Sequence, residues 1–195
     1  AVIISGNGTL SGKNTQLIVE DSVLQGDVYG LSGNGDVAGS GRWGTDIQLI
    51  NSTIKADAGI ASAGIYHPQK DSTLMIYNCK EVSGYTGIAI KGGTVLIENS
   101  LIEGKGATHH EPKLETSGFT DTADAVYIET AYEYDISLEI RGNSSLQSNK
   151  GHSLRVFEAD SPYVAVNIYS GTFQEEQPDI YIAPGSVKSG NSVQI

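Results

Sequence analysis

Ser72-Thr73-Leu74-Met75-Ile76-Tyr77-Asn78 and Thr94-Val95-Leu96-Ile97-Glu98-Asn99 are two copies of one pattern. In each, two apolar residues flank a third, and an asparagine follows two places after the second. Alternation with a period of two marks a strand with one buried face. The pattern recurs before Asp21 (Leu17, Val19) and Asn51 (Ile47, Leu49), and in weaker form before Gly142 (Leu138, Ile140) and Ser170 (Val166, Ile168). Successive anchors are 30, 27, 21, 43 and 28 residues apart, which is the length of one solenoid coil. Three or four places past each anchor an apolar residue returns: Leu24, Ile54, Val82, Ile102, Leu146 and Phe173. A third strand then closes each coil: Val28, Ile65, Ile88 with Ile90, Val126 with Ile128, Leu154 with Val156, and Ile180 with Ile182.

Three short inward-facing pieces, six times over, predict an all-β fold: a single-stranded parallel β-helix of about six or more coils over residues 1–195. Strands stacked about 4.8 Å apart would make a rod roughly 30 Å long. Right-handed winding is expected from the usual chirality of parallel connections. A β-sandwich also has short alternating strands, but it does not need a repeat in threes with a fixed anchor. Leucine-rich repeats would need a recurring Asn in a Leu-rich frame and convex helices, and neither is present.

Composition agrees. The 24 glycines against 5 prolines, with many Asn-Gly, Ser-Gly and Asp-Ser pairs, fit many tight turns. A net charge of −11 repels phosphate backbones and anionic lipid, so a nucleic-acid partner is not expected. No apolar run approaches the roughly 18 to 20 residues that cross a bilayer, so no membrane insertion is expected. Cys79 is the only cysteine, which excludes an intrachain disulfide and a Cys-x-x-Cys site; beside the anchor corner it suits a small buried filler. Asn51, Asn78 and Asn99 are expected to stack at that corner as an inner amide ladder. The start at Ala1 suits a processed export or a fragment of a larger protein.

The segments Gly59-Ile60-Ala61-Ser62-Ala63-Gly64-Ile65-Tyr66-His67-Pro68-Gln69 and Thr86-Gly87-Ile88-Ala89-Ile90-Lys91-Gly92-Gly93-Thr94-Val95 resemble the right-handed β-helix repeats of large surface proteins from Gram-positive gut bacteria. More broadly, Leu17 to Ile182 resembles the pectate-lyase-like superfamily. That resemblance implies the fold. It leaves the function among polysaccharide lyases and hydrolases, tailspikes, adhesins and carbohydrate-binding modules. It also implies an extracellular or cell-wall location in a bacterium.

Two insertions interrupt the coils. One is Gly-rich, spans about 31–45 and carries Trp43, the only tryptophan; the other spans about 103–124. Both adjoin the third strand of a coil, so they are expected to flank one face. If Ile88 and Ile90 point inward, the residue between them points out, and its counterparts are Tyr29, Tyr66, Tyr127, Arg155 and Tyr181. That alignment also turns His67 inward. The row offers flat rings with hydroxyl handles, suited to stacking on sugars or anchoring a protein. Equally, such rings stack as a ladder beneath an insertion. Tyr132, Tyr134 and Trp43 could extend the row from the loops.

Catalytic and metal readings compete with this one. A lyase needs carboxylates for Ca²⁺ and a base for the proton α to a uronate; Asp121, Asp124 and Glu129 could supply oxygens, and Arg155 the base. The Asn-Thr-Asp, Asp-Asp, Gly-His-Gly and Arg-Ile-Lys elements of polygalacturonases have no match, Lys150-Gly151-His152-Ser153 being the nearest fragment. His109, His110 and Glu111 offer zinc-type donors, but adjacent residues of an extended loop point apart. The reading that results is a non-enzymatic surface binding module for a polysaccharide or host glycoprotein. It requires no cofactor, and calcium is the ion its acidic turn best suits. A Ca²⁺-dependent lyase or a glycoside hydrolase is the alternative, and a structural stalk the third.

Overall fold

A computed structural model describes residues 1–6, 14–33, 43–57, 59–115, 118–157, 164–174, 180–182 and 192–194. The strands fall into three parallel sheets, and the chain visits them in turn, three strands to a coil for six coils. Sheet 1 stacks Thr15–Glu20, Thr45–Ile50, Thr73–Tyr77, Gly93–Glu98, Ile136–Arg141, Val164–Ile168 and Ser192–Gln194. Sheet 2 stacks Val23–Gly26, Thr53–Ala56, Glu81–Gly84, Leu101–Gly104, Ser145–Ser148 and Thr172–Gln174. Sheet 3 stacks Val2–Ile3, Tyr29–Ser32, Ala63–His67, Thr86–Ile90, Val126–Glu129, Leu154–Phe157 and Ile180–Ile182. The described residues contain no helix. The fold is the parallel β-helix read from the repeat.

Registers follow the apolar pattern. Leu17, Ile47, Leu74, Val95, Leu138 and Val166 form one column of sheet 1, and Val19, Leu49, Ile76, Ile97, Ile140 and Ile168 the next. Leu24, Ile54, Val82, Ile102, Leu146 and Phe173 form the column of sheet 2. Most of these side chains are buried in one continuous core, and Leu17, Leu24 and Phe173 of the end coils are partly buried. A slip of one residue would turn any strand's apolar set to solvent, so burial itself fixes the register.

The first coil departs from expectation. Val28 is 48% exposed, and Leu31, fully buried, takes the inward place opposite Ile65. The cause is a corner that only glycine fits. A Cβ on Gly30 would lie 2.8 Å from the Lys55 carbonyl oxygen, and one on Gly64 would lie 2.8 Å from that of Gly87. Gly30, Gly64 and Gly87 therefore align, which shifts the strand by three residues relative to the sequence reading.

The asparagine corner also differs. Asp21, Asn51, Asn78 and Asn99 adopt φ between 48° and 51°, the left-handed conformation that Asn and Asp tolerate best, and their side chains are exposed. They serve the bend and do not form an inner amide ladder. Among the described residues, Asn99 is the one of the three asparagines whose side chain reaches the next coil, its Oδ1 accepting from the Asn143 amide at 2.9 Å. The ladder belongs to the following residue. Ser52 Oγ accepts from the Ser22 amide at 3.1 Å, Ser100 Oγ from the Cys79 amide at 2.9 Å, and Ser144 Oγ from the Ser100 amide at 3.5 Å. Cys79 occupies a serine place in that ladder and is buried, which pushes its thiol pKa up.

Candidate functional site

The residue between the two inward positions of sheet 3 forms an outward column: Ser32, Tyr66, Ala89, Tyr127, Arg155 and Tyr181. Three of the expected tyrosines and Arg155 are therefore aligned. Tyr29 is not, because of the three-residue shift; its half-buried ring instead stacks on Tyr66 at 5.5 Å. Trp43 stands apart, beneath Lys70.

The column is not an accessible face. Tyr66 is 2%, Tyr127 0% and Arg155 1% exposed. The cover is the long insertion, which runs from Lys105 to Ala125 because Glu103 and Gly104 belong to a sheet 2 strand. Phe119 packs on the Tyr66 ring at 5.5 Å, and Tyr66 Oη donates to the Gly118 carbonyl at 3.1 Å. The outward rings are thus a second, smaller core, with Ala89 between Tyr66 and Tyr127. Of the earlier Gly-rich insertion, Leu31 and Ser32 lie in sheet 3 and Thr45 in sheet 1, and residues 34–42 fall outside the described residues.

Two buried cations fasten this cover. Lys91 Nζ pairs with Glu129 Oε1 and donates to the carbonyls of Glu115 and Gly118 at 2.5 and 2.6 Å, so three oxygens surround the ammonium. Its ammonium also lies 4.1 Å from the Tyr132 ring centroid. Both Lys91 and Glu129 are fully buried, and Tyr127 Oη donates to Glu129 Oε2 at 2.8 Å. Burial works against both charges, drawing Lys91 down and Glu129 up, and each opposes the shift in the other. Burial likewise raises the pKa of the Tyr66 and Tyr127 phenols.

At the other end, Arg155 Nε donates to Asp124 Oδ2 at 2.9 Å, and Arg155 Nη2 to His109 Nε2 at 3.1 Å. His109 Nδ1 faces the Thr122 carbonyl at 2.8 Å, which requires the proton on Nδ1 and leaves Nε2 as the acceptor for arginine. Asp124 Oδ1 accepts from the His152 amide at 2.6 Å. Burial pushes the Asp124 carboxyl up to about 6 even though Arg155, Thr122 and the His152 amide pull it down.

The three carboxylates expected to share a calcium ion are divided. Asp124 serves Arg155, Glu129 serves Lys91, and Asp121 Oδ2 accepts from the Ala61 amide at 2.5 Å. His109 and His110 point to different carbonyls, those of Thr122 and Asp121. Among the described residues no group of three His, Cys, Asp or Glu side chains is placed to hold a metal ion.

What the cover presents outward is an open hollow of about 530 Å³, lined by His109, His110, Glu111, Lys113, Glu115, Phe119, Thr120 and Asp121. Comparison of the chain with known protein families, curated proteins and solved structures returned no match. The reading of the site therefore rests on its geometry.

Lys91, Phe119 and the hollow itself escaped the sequence reading. The signal for Lys91 was present. One place past the paired Ile90 and Ile128, Lys91 falls opposite Glu129, and opposite charges facing each other across adjacent strands are a recognisable pair.

Proposed function

We propose that the chain is a non-enzymatic binding module of an exported bacterial surface protein, a rigid β-helix that presents the 105–125 insertion to a polysaccharide or host glycoprotein. The observation that carries this reading is the fastening of the insertion. Lys91 and Arg155 hold it from below, so the polar hollow on its outer side is set before any ligand arrives. Preorganisation of this kind lowers the ordering cost of binding. His110, Glu111, Lys113 and Thr120 offer donors and acceptors beside the Phe119 ring, the mixture that sugar hydroxyls and ring faces use. The resemblance of the repeats to Gram-positive surface proteins and to the pectate-lyase-like superfamily supports the same setting.

A polysaccharide lyase or glycoside hydrolase is the competing reading. Arg155 beside Asp124 and His109 gives it a base, an acid and an imidazole within 2.9 and 3.1 Å. Against it stands the sealing of Asp124 and Glu129 under the insertion, each matched by a buried cation. The third reading, a stalk, gives the hollow no role.

A glycan array run in Ca²⁺ and in chelator tests the proposal. Defined glycans should be retained in both conditions, because Asp124 and Glu129 are each paired with a buried cation. Glu111 and Lys113 are exposed, so Glu111→Ala with Lys113→Ala should weaken retention about tenfold or more with an unchanged melting curve. Retention untouched by the double substitution would remove the hollow as the site. Uronate release abolished by Arg155→Ala would establish the lyase instead.

A further inference from the structure

Away from the 105–125 hollow, at the edge where sheet 3 turns into sheet 1, Lys70 Nζ lies 4.2 Å from the Trp43 ring centroid and 5.6 Å from that of Tyr134. Two aromatic faces thus converge on one cationic point. Beside it is a hollow of about 330 Å³ lined by Lys70, Asp71, Glu133, Tyr134 and Asp135. Three carboxylates and the Tyr134 ring therefore line a cleft that adjoins the contact of Lys70 with Trp43. Rings supply the attraction of their negative faces to a cation, and the carboxylates add a long-range field of the same sense.

We propose that the Trp43–Tyr134 cleft is a binding site for a small alkylated ammonium ligand, whose place is held by the protein's own Lys70 ammonium. The lysine marks the position where a positive charge is stable. It is also a poor permanent occupant. A primary ammonium keeps three N–H groups that want water or acceptors, and ring faces satisfy them weakly. A tetraalkylated nitrogen has no N–H to strand, sheds its water readily and presents methyl groups to the rings. Lys70 is half-buried on a flexible stem, so it can withdraw to solvent and leave the cleft open. This proposal is independent of the reading of the 105–125 hollow.

Trp43 is the only tryptophan, so its fluorescence reports on the cleft alone. Wild type and Lys70→Ala would each be titrated with tetramethylammonium chloride against sodium chloride of equal ionic strength. The expected result is a saturable change that sodium does not give, with Lys70→Ala binding roughly threefold to thirtyfold more tightly than wild type. Adding Tyr134→Ala to Lys70→Ala should weaken that binding by a similar factor, and adding Glu133→Gln with Asp135→Asn should weaken it further at low salt. Choline should behave as tetramethylammonium does. No saturable change in Lys70→Ala, or one indifferent to Tyr134→Ala, would overturn the site. Equal affinity for the primary ammonium of Nα-acetyl-lysine amide would overturn its assignment to alkylated cations.

Discussion

Lys91→Met is expected to lower the unfolding free energy by about 3–5 kcal/mol, read by chemical denaturation. The ammonium is fully buried and serves three acceptors at once. Without it the Glu129 carboxylate is left sealed with neutral donors alone, the Tyr127 hydroxyl and the Glu115 amide, and the Glu115 and Gly118 carbonyls lose their donor. Each stranded group adds a desolvation cost. The insertion should loosen first, since both carbonyls belong to it. A second variant separates the charge from the packing: Lys91→Met with Glu129→Gln removes the uncompensated carboxylate and should recover part of the loss. A loss under about 1 kcal/mol for Lys91→Met alone would contradict the fastening role given to this pair.

The second large effect lies in the main core. Ile97→Asp should cost at least about 4 kcal/mol, because it puts a carboxylate into a column whose neighbours above and below are Ile76 and Ile140. Glu98, one residue on, faces out between Tyr77 and Arg141, and Glu98→Ala should stay within about 0.5 kcal/mol. Thermal unfolding of the two variants side by side measures the contrast. Equal shifts in melting temperature would contradict the assignment of inward and outward positions.

The core was legible in the sequence because its rule is local and repeated. Leu74, Val95 and Leu138 announce their column by alternation, and six copies correct one another's ambiguities. His67 shows the same rule at work on an unsuitable residue: it occupies an inward place opposite Ile90, and burial pushes its imidazole down to about 4. The first coil was misread because Val28 and Leu31 are equally apolar, and only the close approach at Gly30 decides between them.

The site was less legible for a different reason. Alternation tells which side of a sheet a residue takes, and it does not tell whether that side meets water. Tyr66, Tyr127 and Arg155 do point away from the coils, yet the path of residues 105–125 decides their surroundings. That path is set by contacts far apart in sequence, such as Lys91 with Gly118 and His109 with Arg155. Asp121, Asp124 and Glu129 likewise read as a calcium set from sequence alone, and alternation gives no sign that Asp124 pairs with Arg155 and Glu129 with Lys91.

Whether the sheet 3 row is sealed or open decides where recognition can occur, and tyrosine nitration with mass-spectrometric mapping tests it directly. Tyr169 is 67% exposed and should be modified early, whereas Tyr66 and Tyr127 should stay unmodified until the protein unfolds. Nitration of Tyr127 at a rate comparable to Tyr169 in the folded protein would contradict the account, and would return the row of rings to the surface.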